Sequence, residues 1–195
     1  RGIPVRVPTP AAPASARWGE GGGAFVPRST VLGFVSAWKL EAQRLRRKGR
    51  SVASPTNALL HTWLLSAVLF GSLLIVFGWS IAPYLLLQAV VGFVLLEMVN
   101  YVEHYALLRE TNDRGRYVRC SPRHSWNSDR ICTNIFLYHL QRHSDHHANP
   151  GKRYQTLLSC DEAPQLPAGY ASMVMLAAFP PLWRRVMDPR VLAHY

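Results

Sequence analysis

Eight histidines are distributed unevenly along the 195 residues, and their spacing says more than their number. His143, His146 and His147 form an H-x-x-H-H word. On a helix, offsets of three and four residues put all three imidazoles along one side, within reach of a shared metal ion. Neutral imidazole suits Zn, Cu, Fe and Ni, so the spacing points to a transition metal without choosing it. His139 lies four residues before His143, on the same predicted face. Asp145, inside the cluster, is either an acceptor that fixes a ring tautomer or a solvated carboxylate. Further upstream, Glu97 precedes His104 by seven residues, two helical turns, so both fall near one face. An ionisable residue at the inner end of a membrane helix is costly unless paired or functional, which makes Glu97 a site candidate; the alternative is a carboxylate hydrated at the interface. With the downstream cluster, His104 becomes a fourth candidate ligand. His61 and His194 carry no argument beyond their location.

These residues need elements to position them. From Ser51 to Leu96 the chain contains no Asp, Glu, Lys or Arg. Leu59–Phe77 and Ile81–Val99 are each long enough to cross a hydrocarbon core of about 30 Å. Gly78, Trp79 and Ser80 between them predict a tight transmembrane hairpin, with Trp79 at the interfacial depth that aromatic residues favour. Both outer flanks are basic: Lys39 to Arg50 before the hairpin, then Arg109, Arg114, Arg116, Arg119 and Arg123 after it. The positive-inside bias places both ends in the cytoplasm. Helix is expected to continue through Glu103 to Arg109. A further helical pattern runs from about Asn127 to His147 and stops at Pro150. The last forty residues are too rich in proline for one long helix, although Ala168–Ala178 suits a short one.

The fold class expected is all-α integral membrane: a transmembrane helical hairpin plus cytoplasmic helical and irregular segments, forming part of a larger helix bundle. Residues 1–28, rich in Pro, Gly and Ala, are expected to be an extended linker. Residues 29–50 are read as a basic amphipathic helix, N-capped by Ser29 or Thr30, lying on the membrane surface or packed on the rest of the protein. Residues 51–100 hold the two spans, and 101–195 the cytoplasmic metal-binding region. The net charge is +11. No zinc-finger, RRM-like or basic-zipper pattern accompanies it, so a membrane surface or an acidic protein explains it better than nucleic acid. Cys120, Cys132 and Cys160 lack C-x-x-C spacing and are expected to be reduced thiols.

Two longer words make a resemblance visible. Asn100-Tyr101-Val102-Glu103-His104-Tyr105-Ala106-Leu107 resembles the NYxEHYG(L) motif of the bacterial alkane monooxygenases, and Leu140-Gln141-Arg142-His143-Ser144-Asp145-His146-His147-Ala148 resembles their LQRHSDHHA histidine box. The segments Pro122–Ser128, Asp161–Pro167 and Gly169–Met173 are similar to that family in order and spacing. The resemblance implies a multi-pass protein of the bacterial cytoplasmic membrane with a histidine-ligated di-iron site on the cytoplasmic side. It also implies electrons from rubredoxin and insertion of one oxygen atom of O2 into the terminal C–H bond of an alkane taken from membrane lipid. By the same resemblance His104, His143, His146 and His147 are iron ligands, while His124 and His139 are supporting or structural. Arg44, Arg46, Arg47 and Lys48 are expected to meet the acidic electron carrier or anionic lipid headgroups.

The sequence departs from that pattern twice. Ala106 stands where the motif has Gly. Ile3 and Pro4 stand where a His-His pair of a second box is expected, and the first box is absent. The chain is therefore expected to supply part of a di-iron ligand set, with activity belonging to a longer protein. The rival readings are another membrane histidine-box oxygenase, a fatty-acyl desaturase, or a non-catalytic metal-binding membrane protein.

Overall fold

The computed structural model describes residues 8–10 and 12–195; the Ile3-Pro4 departure lies outside the described residues. Among the described residues seven α-helices follow in order: α1 (Gly22–Arg47), α2 (Ala58–Phe77), α3 (Ala82–His104), α4 (Ile131–Phe136), α5 (His143–Ala148), α6 (Tyr170–Ala177) and α7 (Pro180–His194). No extended strand forms among the described residues. The backbone divides into two compact units, one of residues up to Thr30 with Leu95–Tyr195, the other Val31–Val94.

The second unit contains the apolar helices. Asn57 starts α2, its Oδ1 accepting from the backbone N–H of Leu59 at 2.9 Å while its Nδ2 donates to the Val52 carbonyl. Gly78, at φ +80°, ends that helix, and a 3-10 turn at Trp79–Ile81 leads into α3. Both helices are long and apolar enough to cross a membrane. None of the residues of α2 is buried by the rest of the protein. Within this unit α1 meets α2 through Phe34 and Trp38, whose rings stack on Trp63 at 5.6 and 5.8 Å. Glu41 joins the same two helices, accepting from the Ala58 N–H and from Arg44.

The start of α1 corrects the expected boundary. The helix begins at Gly22, seven residues before Ser29, so Ser29 and Thr30 are not caps; the Thr30 hydroxyl donates to the Val26 carbonyl. Gly and Pro27 oppose helix locally, but two tertiary contacts outweigh them. Phe25 is fully buried with its ring 5.4 Å from that of Tyr101. Gly22 lies against Met98, so that a Cβ there would come within 2.8 Å of its sulfur and the methionine side chain would have to shift.

The first unit is built around the C-terminal end of α3. Tyr101, Tyr105 and Trp183 pack as a fully buried aromatic trio with centroids 5.1 to 5.3 Å apart, and Met187 and Val191 of α7 close the core beneath them. Pro180 and Pro181 sit in the first turn of α7, where their missing N–H groups cost nothing. The prolines read as helix-breaking thus start a fifteen-residue helix.

Candidate metal centre

His104 is the last residue of α3, and its Nδ1 lies 2.9 Å from the Asn100 carbonyl, one turn back. A carbonyl accepts only from N–H, so Nδ1 carries the proton and the Nε2 lone pair points away from the helix. The helix end is secured by Trp126, whose backbone N–H donates to the Glu103 carbonyl and whose indole N–H donates to the Tyr105 carbonyl, both at 2.9 Å. The chain then turns sharply at Ala106, φ +57°, a left-handed conformation that favours glycine. That turn accounts for glycine in the motif that Ala106 departs from, and it makes backbone conformation the issue at this position.

The single helix expected over Asn127–His147 is instead two short helices, α4 and α5, divided by a turn in which Tyr138 and His139 both adopt positive φ, +49° and +61°. No Gly or Pro marks this break. Side-chain bonds impose it: the fully buried Gln141 donates to the carbonyls of Ser128 and Arg130 and accepts from Thr133 Oγ1 and the Tyr170 N–H. A six-residue helix such as α5 has little stability of its own. Asn127 supplies what its sequence lacks, accepting from the Ser144 N–H at 3.0 Å and donating to the Ser144 hydroxyl at 2.7 Å. Asn127 is itself held by backbone bonds to Pro164 and Leu166. Those bonds bring together the words Pro122–Ser128 and Asp161–Pro167.

This framework converges three imidazoles. The Nε2 atoms of His104 and His143 are 3.1 Å apart, those of His104 and His147 3.1 Å, and those of His143 and His147 2.7 Å. His104 and His143 are buried and His147 is partly so. Burial, reinforced by the neighbouring imidazoles, holds His143 well below the usual histidine range and His147 at about 3, so both are neutral at ordinary pH, the form that ligates metal. Hydrogen bonding cannot satisfy the triangle, since the His104 Nε2 carries no proton and two other ring nitrogens face it. A cation can. Two nitrogen donors at right angles about one ion stand about 3.0 Å apart when each bond is about 2.1 Å, against about 3.4 Å for a tetrahedral pair. The two 3.1 Å separations are near the first value and the 2.7 Å one is shorter, and three neutral imidazoles suit a first-row transition ion such as non-haem iron.

Glu103, which the sequence reading passed over, stands at this site. Its carboxyl is buried, Oε2 lies 3.2 Å from His143 Nε2, and the Tyr170 side chain hydrogen-bonds the group. Gln141 and Asn127 were also missed; each lies in a quoted word, but its role depends on distant backbone.

The remaining candidates are placed as follows. His146 is exposed, its ring centroid 5.9 Å from that of His143 and 5.7 Å from that of His147, outside the triangle. It lines, with His143, Leu137, Leu140 and Leu157, a largely apolar cavity of about 650 Å³. His139 is not on the His143 face, because the turn separates them; its Nδ1 meets Arg142. His124 Nδ1 accepts from the Ser121 N–H at the start of a short 3-10 turn. Asp145 fixes no imidazole tautomer: its carboxylate accepts from Asn149 Nδ2, Lys152 Nζ and the Leu158 N–H, tying the following loop to α5. Glu97 accepts from the Ser29 hydroxyl at 2.5 Å, a bond between α3 and α1. Arg44 is committed to Glu41, whereas Arg46, Arg47 and Lys48 are exposed. His61 is exposed on α2, and His194 meets the Arg123 carbonyl.

An apolar helix carrying a histidine at one end, closed by two histidines on a short helix, defines a protein with a histidine-ligated metal centre on a membrane-type helical scaffold. The fatty acid desaturase family model matches residues 8–177, and the chain belongs to that family. It is 51% identical over its whole length to alkane 1-monooxygenase 2 of Pseudomonas aeruginosa and 48% identical, over 97% of its length, to alkane 1-monooxygenase of Acinetobacter baylyi. The chain covers 52% and 47% of those proteins, about half the length of each. A more distant relative, the xylene/toluene monooxygenase hydroxylase component of Pseudomonas putida, is 28% identical over 82% of the chain.

Proposed function

We propose that this chain is the metal-binding part of a membrane monooxygenase that hydroxylates the terminal carbon of n-alkanes, using O2 and electrons from a rubredoxin. The observation that carries the reading is the convergence of His104, His143 and His147 from the two words shared with that class, at spacings suited to iron. Bound iron would supply the O2-activating chemistry. The chain's own part is to hold the ion with neutral imidazoles and to exclude water. The leucine-lined cavity reaching His143 and His146 suits an apolar chain, and His146 is positioned for a second ion that further donors would complete. The apolar helices α2 and α3 would form a hairpin across the bacterial cytoplasmic membrane with the centre at its inner face. Exposed Arg46, Arg47 and Lys48 would steer an acidic carrier.

Membranes containing the whole protein, supplied with Fe(II), a rubredoxin and its reductase, should convert an n-alkane to the 1-alkanol with one atom from labelled O2. His143→Ala and His147→Ala should lose both iron and product. The family match favours one alternative, desaturation of an acyl chain; an olefin without label from O2 would establish that reading and refute hydroxylation.

A further inference from the structure

We propose that α7 is the positioning element for His104, gripping the turn behind that residue through Asp188 and Tyr195. The inference rests on the metal reading above and concerns a helix that the family match, residues 8–177, does not reach. His104 ends α3, and the backbone past it holds a conformation that an L side chain disfavours, since Ala106 stands at φ +57°. A helix end followed by such a turn frays unless neighbouring groups fix it, and a displacement there moves the His104 imidazole.

Two of those fixings come from α7. The Tyr105 hydroxyl donates to Asp188 Oδ1 at 2.7 Å and accepts from the Gly19 N–H at 3.1 Å. Tyr195 follows Asp188 by seven residues, two helical turns, so both lie on one face. Its hydroxyl accepts from the Leu108 N–H at 2.8 Å and lies 3.3 Å from the Ala106 carbonyl. The two contacts bracket the left-handed residue, one on the side of His104 and one beyond it. Trp183, Met187 and Val191, all fully buried, fix α7 itself, and His194 Nε2 meets the Arg123 carbonyl at 2.9 Å in its last turn. The Tyr195 ring is 66% exposed, so apolar burial does not account for its place, and the contacts of its hydroxyl do.

The test is cobalt(II) binding to the whole protein stripped of metal in detergent, read by equilibrium dialysis and by the ligand-field absorption bands. Asp188→Ala combined with Tyr195→Phe should weaken binding by about 10-fold, the lower end of the range for lost supporting bonds at metal sites, and shift the bands. Asp188→Asn keeps an acceptor for the Tyr105 hydroxyl and should retain wild-type affinity and bands. Val191→Ala is the control: it removes buried bulk from the same helix and leaves both grips, so Tm should fall while affinity and bands stay unchanged. Wild-type affinity and bands in the double variant overturn the proposal. So does a loss in Val191→Ala equal to that of the double variant, which would make α7 a packing element alone. If the double variant gives no monodisperse extract, Tyr195→Phe decides: shifted bands support the proposal and unchanged bands overturn it. Absence of cobalt binding by the unaltered protein is a different result, which removes the metal reading and the proposal with it.

Discussion

Replacing Gln141 by Leu separates the hydrogen-bond hub from the metal ligands it supports. Gln141 is fully buried and makes four contacts, but its neighbours depend on it unequally. The Ser128 carbonyl keeps the bond from Asn134 Nδ2, and the Arg130 carbonyl keeps that from the Asn134 N–H. Thr133 Oγ1 can still donate to Arg130. Only the Tyr170 N–H, bonded to Gln141 Oε1, loses its partner. One buried donor left unsatisfied costs about 1–3 kcal/mol. The expected loss is therefore about 2 kcal/mol, and not the sum of four bonds. For a chain of this size that is a fall of about 4–8 °C in Tm, measured by tryptophan fluorescence in detergent, with faster hydrogen exchange at the Tyr170 amide. Thr133→Val, which leaves that acceptor in place, should cost under about 1 kcal/mol. Equal losses in the two variants, or an unchanged Tyr170 amide in Gln141→Leu, would refute the assignment of Gln141 as the hub.

Two further outcomes are expected. Hydrogen bonds from Arg44 and from the Ala58 N–H hold the Glu41 carboxyl down at about 2, so its link between α1 and α2 is fully present above the ordinary carboxyl range near 4.5 and is lost as pH falls through about 2; a carboxyl NMR titration of Glu41 with a midpoint above 4 would contradict this. Charge reversal at Arg46 and Arg47 should slow reduction by rubredoxin and flatten its salt dependence without changing iron content, since screening over about 10 Å at 0.1 M salt governs such encounters; an unchanged salt response would assign both cations to the membrane surface.

The parts of the molecule legible in the sequence are those governed by local pattern. The expected span Leu59–Phe77 and the helix Ala58–Phe77 differ by one residue, because Asn57 is a local cap and Gly78 a local stop. The tri-histidine cluster was legible in part: His143 and His147 are four residues apart on a helix that does form, and His104 joins them from the word shared with the monooxygenases. His146, at the same helix but a different angle, does not follow from spacing alone. What escaped was set by contacts distant in sequence. Gly22–Pro27 is helical because Phe25 is buried on Tyr101 and Gly22 meets Met98. Tyr138 and His139 turn because Gln141 and Asn134 bond backbone that a helix would have carried away.

Glu97 and Glu103 show why an ionisable residue in an apolar helix has to be read with its surroundings. The cost of an ionisable residue in an apolar helix, with the two-turn spacing to His104, singles out Glu97 in the sequence and leaves Glu103, on the same helix, unremarked. Yet Glu97 has a local solution, a hydroxyl from the helix packed beside it. Glu103 is buried between Tyr170, which hydrogen-bonds its carboxyl, and α5, which brings imidazoles and no basic side chain. A short helix with no side-chain cap of its own, held by Asn127 and packed against a buried carboxylate, is a poor arrangement for stability alone. A positive ion held there would draw on the three facing nitrogens of His104, His143 and His147 and, through them, fix the position of the helix.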